Sequence, residues 1–413
     1  MEPKNCNAIV LSLFCHRRSH ADPDRPTVPV MMPVLLKDCM EELLKFTLTS
    51  SMNGEIDVGL SKDYCSRLLE DDPSNPFSSS IDIFRGVPSY PLYKHLAASL
   101  YQSISSGALV SMAEKISSML EDRSLKLKED EWTKLIIEKG SKMLDILKAV
   151  DFELHVQEPF FSELKDGRKT VEGRCANGSH NCILRGALIL FNKCLLLQVQ
   201  DVHRYASFLE MLQAESLQRV LPGVTTYEEG VHVYRQFYTE EKESLNGVLA
   251  ICVTKSTSSL HNLMAAMLLG LRYTGIQRLL NMGCTEGTIP EALPPQTSVL
   301  VSSFLALHNP QVKGSALTSG ARALAKHVNR CSDKYWGDFC GSDSDKNKAA
   351  LDIISRFIVH CCWMNMHVVT AHSAVFEIRV AEGFGARWSE DGSKFVGFLE
   401  PYIVDGHSKK WKH

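Results

Sequence analysis

The chain has 413 residues, of which 44% are hydrophobic and 23% charged, and its formal net charge is −3. That length suits two or three globular domains, and the near-neutral balance excludes a nucleic-acid binder that works through overall positive charge. Residues 1–150 and 151–255 each carry −3 and residues 256–413 carry +3, so an anion-binding surface has to be a local cleft.

In chain order, residues 1–32 read as a disordered leader, because the segment Asp22 to Pro29 is too rich in proline to hold a helix. His16-Arg17-Arg18 within it faintly resembles a transit peptide. From Pro33 onward, Leu35, Leu36, Met40, Leu43, Leu44 and Leu48 recur at helical spacing. A shorter helix is expected over Ser61–Leu69 and a loop over Asp71–Val87. Further helices are expected over Tyr90–Ile104, Leu109–Leu120 and Asp130–Val150. Nothing in 33–150 suggests catalysis, so this region is read as packing or as contact with protein partners.

At 151–255 the pattern changes. Pro159 suits the start of a short helix carrying Phe160, Phe161 and Leu164. Gly167 suits the left-handed residue that ends it. Lys169 to Arg174 then reads as a strand, with Thr170, Glu172 and Arg174 on one face and Lys169, Val171 and Gly173 on the other. For Lys169 to join Glu172 and Arg174 it has to lie in the turn or at a bulge. Such charges are costly to bury unless paired, so they form either a paired structural cluster or the lining of a polar cleft. An apolar strand Gly186–Phe191 follows, then Leu195–Val202, helices over Leu209–Val220 and Thr226–Phe237, and a closing strand Gly247–Val253.

Gly167-x-Lys169-x-x-Glu172-x-Arg174 resembles the G-x-K-x-x-E-x-R signature of the ASCH domain, first described in activating signal cointegrator 1. The order of strands and helices around it resembles the same family, most closely the plant proteins that carry extra sequence on both sides. The resemblance implies a PUA-like β-barrel that binds RNA in a groove using Gly167, Lys169, Glu172 and Arg174. It implies a role in transcription coactivation, RNA processing or translation control, in the nucleus or cytoplasm. Some small bacterial members are amidohydrolases acting on acetylated cytidine, with a Thr nucleophile three residues after the Lys. Here that position is Glu172, while Thr170 is adjacent to Lys169, so the nucleophile is displaced. The two alternatives to RNA binding are that hydrolase and a protein-interaction scaffold.

Residues 256–413 read as an α+β region. Helices are expected over Leu260–Leu280, from Gly320 with Ser319 as N-cap, and over Asn347–Met366. Strands follow over Ala374–Val380, Ala386–Ser389 and Lys394–Leu399, with Asp391-Gly392 as a hairpin turn. Arg322, His327, Arg379, Arg387 and Trp388 suggest a secondary basic-aromatic pocket for phosphate and base, set against the plainer reading of a satisfied core. Glu377 and Arg379 share a strand face.

The thirteen cysteines are odd in number and scattered, with no Cys-x-x-Cys spacing, which reads as reduced thiols. His367 and His372 lack a carboxylate or Cys at ligand spacing, so no metal and no cofactor is expected. No apolar run reaches the ~18 residues of a membrane helix, so no membrane partner is expected. The overall expectation is an α+β protein of four parts: leader 1–32, helical region 33–150, PUA-like barrel 151–255 and α+β region 256–413.

Overall fold

The computed structural model describes residues 34–77, 85–110, 123–328, 335–370 and 373–401. The expected leader, most of the helix expected over Leu109–Leu120, and His372 lie outside the described residues.

The N-terminal region is helical: α1 (Leu36–Met52), α2 (Lys62–Leu69), α3 (Leu92–Ser106) and α4 (Arg123–Lys148). The stripe Leu36, Met40, Leu43, Leu44 and Leu48 is fully buried. Each such side chain contributes ~1.5–3 kcal/mol on burial. Ser61 caps α2 by accepting a hydrogen bond from Tyr64 N. The long helix α10 (Leu260–Leu279) packs across α1 and α4 and turns sharply at Arg272, whose φ is 51°. No helix among the described residues is long and apolar enough to cross a membrane.

The middle of the chain forms a curled, half-barrel sheet of five strands: β1 (Phe152–Leu154), β2 (Val171–Cys175), β3 (Leu188–Phe191), β4 (Leu195–Tyr205) and β5 (Val248–Lys255). Their spatial order is β1-β3-β4-β5-β2, antiparallel except for the β1–β3 pair. Alternation along β5 divides its side chains between two cores. Leu249, Ile251 and Val253 join the main core shared with the helices. Val248 and Ala250 join a second core beneath α6 (Phe208–Glu215), α7 (Leu217–Val220) and α8 (Tyr227–Arg235). The helix expected over Leu209–Val220 is broken at Ser216, where φ is 71°. Between α5 (Phe160–Asp166) and β2, Gly167 takes the left-handed conformation at φ 82°.

The C-terminal region contains α11 (Thr297–Leu305), α12 (Ser319–His327) and α13 (Asp343–His360), packed on one face of an antiparallel sheet. Its order is β6-β7-β8-β9: β6 (Trp363–Thr370), β7 (Ser373–Arg379), β8 (Gly385–Ser389) and β9 (Phe395–Leu399). Two expectations are corrected here. Thr318, not Ser319, caps α12, its hydroxyl accepting from Ala321 N at 3.2 Å. The helix expected to run to Met366 stops at His360, and 363–370 is a strand. Its run of apolar residues suits a buried strand as well as a helix, and periodicity alone does not separate the two.

Two distant segments are stitched to this sheet. Residues 282–289 run along the free side of β6: Gly283 N donates to Met364 O at 2.7 Å, Ile289 N to Met366 O at 2.9 Å, and Val368 N to Gly287 O at 3.0 Å. The Asn365 amide donates to the hydroxyls of Thr285 and Thr288. Gly86 N and Val87 N donate to Cys361 O and Ile358 O at the end of α13. A Cβ on Gly86 would lie 2.5 Å from Ile358 O, so only glycine allows this approach.

Candidate nucleic-acid interface

The G-x-K-x-x-E-x-R stretch folds as a buried charge relay. Past Gly167 the backbone turns, fixed by Lys169 N donating to Glu163 O at 3.0 Å. Lys169 therefore precedes β2, in the turn, and its stem carries the ammonium round to the carboxylate side. Its Nζ donates to Val171 O at 2.8 Å and Val220 O at 2.6 Å, and lies 3.0 Å from Glu172. With three acceptors its donors are saturated. Glu172 sits 2.8 Å from Arg174 Nε, and Arg174 Nη2 donates to His155 O at 2.6 Å. Arg174 Nε faces the carboxylate without an aligned hydrogen bond, so that contact is Coulombic.

The side chains of Lys169 and Glu172 are 2% and 8% exposed, against 17% for Arg174. Only the guanidinium meets solvent. Burial pushes the Glu172 carboxyl up, but Lys169 and Arg174 reverse this and hold it below its usual range. Burial pulls the Lys169 ammonium down, and Arg174 adds to that while Glu172 opposes it.

Beside this cluster a cavity of ≈ 670 Å³ opens between β2, α8 and the segment after β1. His155, Phe160, Arg174, Tyr234, Phe237 and Tyr238 are among its lining residues. Tyr234 crosses Gly173 so closely that a Cβ there would meet its Oη at 2.4 Å. The Tyr234 hydroxyl is buried without a hydrogen-bond partner. Tyr234 and Tyr238 both stack on Phe208, with centroids 4.1 and 5.4 Å away. Phe237 is 49% exposed at the mouth. Lys169 and Glu172 line its back wall, and the Arg174 guanidinium and the exposed Phe237 ring supply the cation and the aromatic face that a phosphate and a base require. Tyr205 is not among the lining residues, and its hydroxyl donates to Glu215 at 2.9 Å.

The hydrolase arrangement is not assembled. The Thr170 hydroxyl accepts from Arg219 Nε at 3.1 Å, whereas the Lys169 ammonium contacts carbonyls and Glu172. Glu215 instead gathers His203 and Cys252, with ligand atoms within 4.8 Å of one another. Arg219, 3.6 Å from Glu215, already supplies a positive charge there. Sequence reading missed this group because its members come from β4, α6 and β5.

The five residues expected in a C-terminal pocket do not share one. Trp388 points into the core, its Nε1 donating to Leu300 O at 3.1 Å. Alternation puts it on the face opposite Arg387. His327 pairs with Glu400 at 2.7 Å, and Arg322 is exposed on α12. Arg379 and Arg387 do converge, on Glu377: Arg379 Nε donates to Oε1 at 2.7 Å, and Arg387 donates to Oε2 through Nε at 3.0 Å and Nη2 at 2.5 Å. His367 Nε2 lies 3.6 Å from the same carboxylate.

Comparison with known proteins gives two family matches. Residues 154–256 match the ASCH domain, and residues 307–400 match the CdiA C-terminal tRNase toxin domain. No curated protein matches the chain. Among solved structures, the crystal structure of a hypothetical protein is similar at 42% identity, over 25% of this chain and 98% of its own, with a TM-score of 0.25. An NMR structure from Pyrococcus furiosus is similar at 41% identity, over 26% and 98%, with a TM-score of 0.24.

Proposed function

We propose, from the premise that residues 154–256 are an ASCH domain, that its half-barrel binds single-stranded RNA in the cavity beside β2. The observation that carries this is the meeting of the Arg174 guanidinium with Phe160, Phe237 and Tyr238 in one open hollow. Arg174 would hold a phosphate and Phe237 would stack on a base, while Lys169 and Glu172 keep Arg174 aimed from behind. Stacking of one base is worth ~1–3 kcal/mol. Phe237→Ala should therefore weaken binding of a labelled single-stranded RNA by about 5–150-fold. Arg174→Gln should weaken it too and flatten its salt dependence. Unchanged affinity in both variants, with circular dichroism as in the wild type, would sink the reading. The cellular setting that fits is RNA processing or translation control, with the exposed sides of α1 to α4 free for protein partners.

A second reading is favoured by the match at 307–400: the C-terminal region acts on RNA as a nuclease, so that one chain joins an RNA-holding barrel to an RNA-cutting sheet. Incubation of the full chain with transfer RNA, followed by gel analysis, tests it. Intact RNA after prolonged incubation would count against it.

A further inference from the structure

We propose that His367, Glu377, Arg379 and Arg387, clustered on the face of the C-terminal sheet turned away from α12 and α13, form an RNA-cleaving centre that works by acid–base catalysis from side chains alone. The inference rests on the second reading above and names the site and the reaction.

The register builds the cluster. Glu377 on β7 lies directly across from Arg387 on β8, and His367 on β6 sits diagonally opposite, across from Val375. Arg379 is two residues along the same strand face. Phe376, Ile378, Trp388 and Phe398 take the other face, into the core. Four residues on three strands thus place one carboxylate, two guanidinium groups and one imidazole together, each partner's nitrogen within 3.6 Å of the Glu377 carboxylate.

Their exposure is graded. The Glu377 side chain is 4% exposed, while His367, Arg379 and Arg387 are 15%, 18% and 20% exposed. The carboxylate lies behind and the cations form the rim, which is the order a phosphodiester approaching from solvent requires. Two of the four groups also hold unused bonding capacity. Arg387 leaves Nη1 free of any hydrogen bond to Glu377, and His367 Nδ1 is buried with no hydrogen-bond partner. A buried imidazole nitrogen left unpaired costs free energy and marks a group held for something other than packing. Burial holds the Glu377 carboxyl up, but Arg379 and Arg387 overcome this and keep it ionised. Burial pulls His367 down, Glu377 opposes that, and both arginines add to it. A bound phosphodiester anion adds an opposing charge and favours the imidazolium.

Two guanidinium groups on one carboxylate repel a divalent cation, so the chemistry suited to the site is transesterification without metal. The ribose 2′-hydroxyl attacks the adjacent phosphorus. Its proton passes to the Glu377 carboxylate, and a 2′-O–P bond forms. The P–O5′ bond breaks, and the leaving oxygen takes a proton from the His367 imidazolium. Arg379 and Arg387 carry the charge gathering on the phosphoryl oxygens. The products are a 2′,3′-cyclic phosphate and a 5′-hydroxyl end. One proton is taken and one given, and no water or redox partner enters.

The test uses the full chain, EDTA buffer, a labelled single-stranded RNA and bulk cellular RNA. The expected result is cleavage that leaves 2′,3′-cyclic phosphate ends, and none at a position carrying a 2′-deoxy sugar. His367→Asn, Glu377→Gln and Arg387→Lys should each slow cleavage by about 10²–10⁴-fold. Arg387→Lys keeps a cation beside Glu377, and the 2′-deoxy substrate leaves the protein untouched, so a variant that fails to fold does not decide the matter. Cleavage of unchanged rate in the variants, or at the 2′-deoxy position, overturns this site and leaves the nuclease reading standing. No cleavage of any RNA by the wild type overturns both.

Discussion

Two charged clusters organise this molecule, each built around one glutamate. Under the half-barrel, Glu172 lies between Lys169 and Arg174, and the Lys169 ammonium also binds two backbone carbonyls. On the C-terminal sheet, Glu377 lies between Arg379 and Arg387, with His367 alongside. The first cluster holds one cation that is 2% exposed, Lys169, beside Arg174 at 17%; the second holds two arginines at 18% and 20% and no fully buried cation. Similar inventories therefore have different uses. The first cluster is a scaffold that aims Arg174 into a cavity whose lining includes Phe160, Tyr234, Phe237 and Tyr238. The second presents its own charges to solvent.

The sharpest way to break the comparison is to delete each carboxylate. Glu172→Ala leaves a buried ammonium and a mostly buried guanidinium without a counter-charge, and should lower stability by ~3–5 kcal/mol in urea unfolding. Glu377→Ala should cost less, because it leaves behind no cation as deeply buried as Lys169. Equal losses would mean that the two clusters are buried alike. Next comes acid. Both carboxyls sit below their usual range in the folded state. Their stabilising contribution is complete above the unfolded value of ~4.3 and is lost as pH falls through the lower folded values. Unfolding free energy measured against pH should fall steeply below ~4, and less steeply in Glu172→Gln. A slope unchanged by that substitution would show that Glu172 does not titrate as described.

Smaller effects test the walls of the barrel cavity. Gly173→Ala should cost ~1–3 kcal/mol by driving a methyl group into Tyr234 Oη and Met211 Cε. It should also reduce RNA affinity, because Tyr234 lines the same hollow. Thr226 and Glu229 form a capping box at the start of α8, which carries Tyr234. Thr226→Ala should cost ~1 kcal/mol and leave the C-terminal cluster untouched, as thermal melts and cleavage assays would register.

Much of this was legible in the sequence where local rules dominate. Leucine spacing in α1, the Pro159–Gly167 bracket of α5 and the Asp391-Gly392 turn follow from propensity and backbone freedom. The ASCH match at 154–256 agrees with the family that the G-x-K-x-x-E-x-R residues suggest. What was not legible depended on long-range pairing. Strict alternation set Lys169 apart from Glu172 and left the turn or a bulge as the way to join them; the structure takes the turn, ahead of β2, a choice the sequence alone did not decide. Residues 363–366, the first half of β6, read as the end of a helix because their pairing partners lie at 282–289 and 373–379. Trp388 was grouped with Arg387 by adjacency, although adjacent strand residues face opposite ways. Glu377 received little weight beside the arginines, yet both of them converge on it.

The strand β6 is hydrogen-bonded on one side by β7 and on the other by residues 282–289, which lie ahead of the segment that matches the toxin domain. A fragment cut to begin at residue 307 would lose that second neighbour and expose a bare row of amides and carbonyls. Such an edge recruits other strands, so the truncated piece should self-associate in sedimentation experiments. Borrowing an earlier stretch of chain to cover its rim makes the C-terminal sheet dependent on what is synthesised before it, and an excised version would be a poor stand-in for the whole.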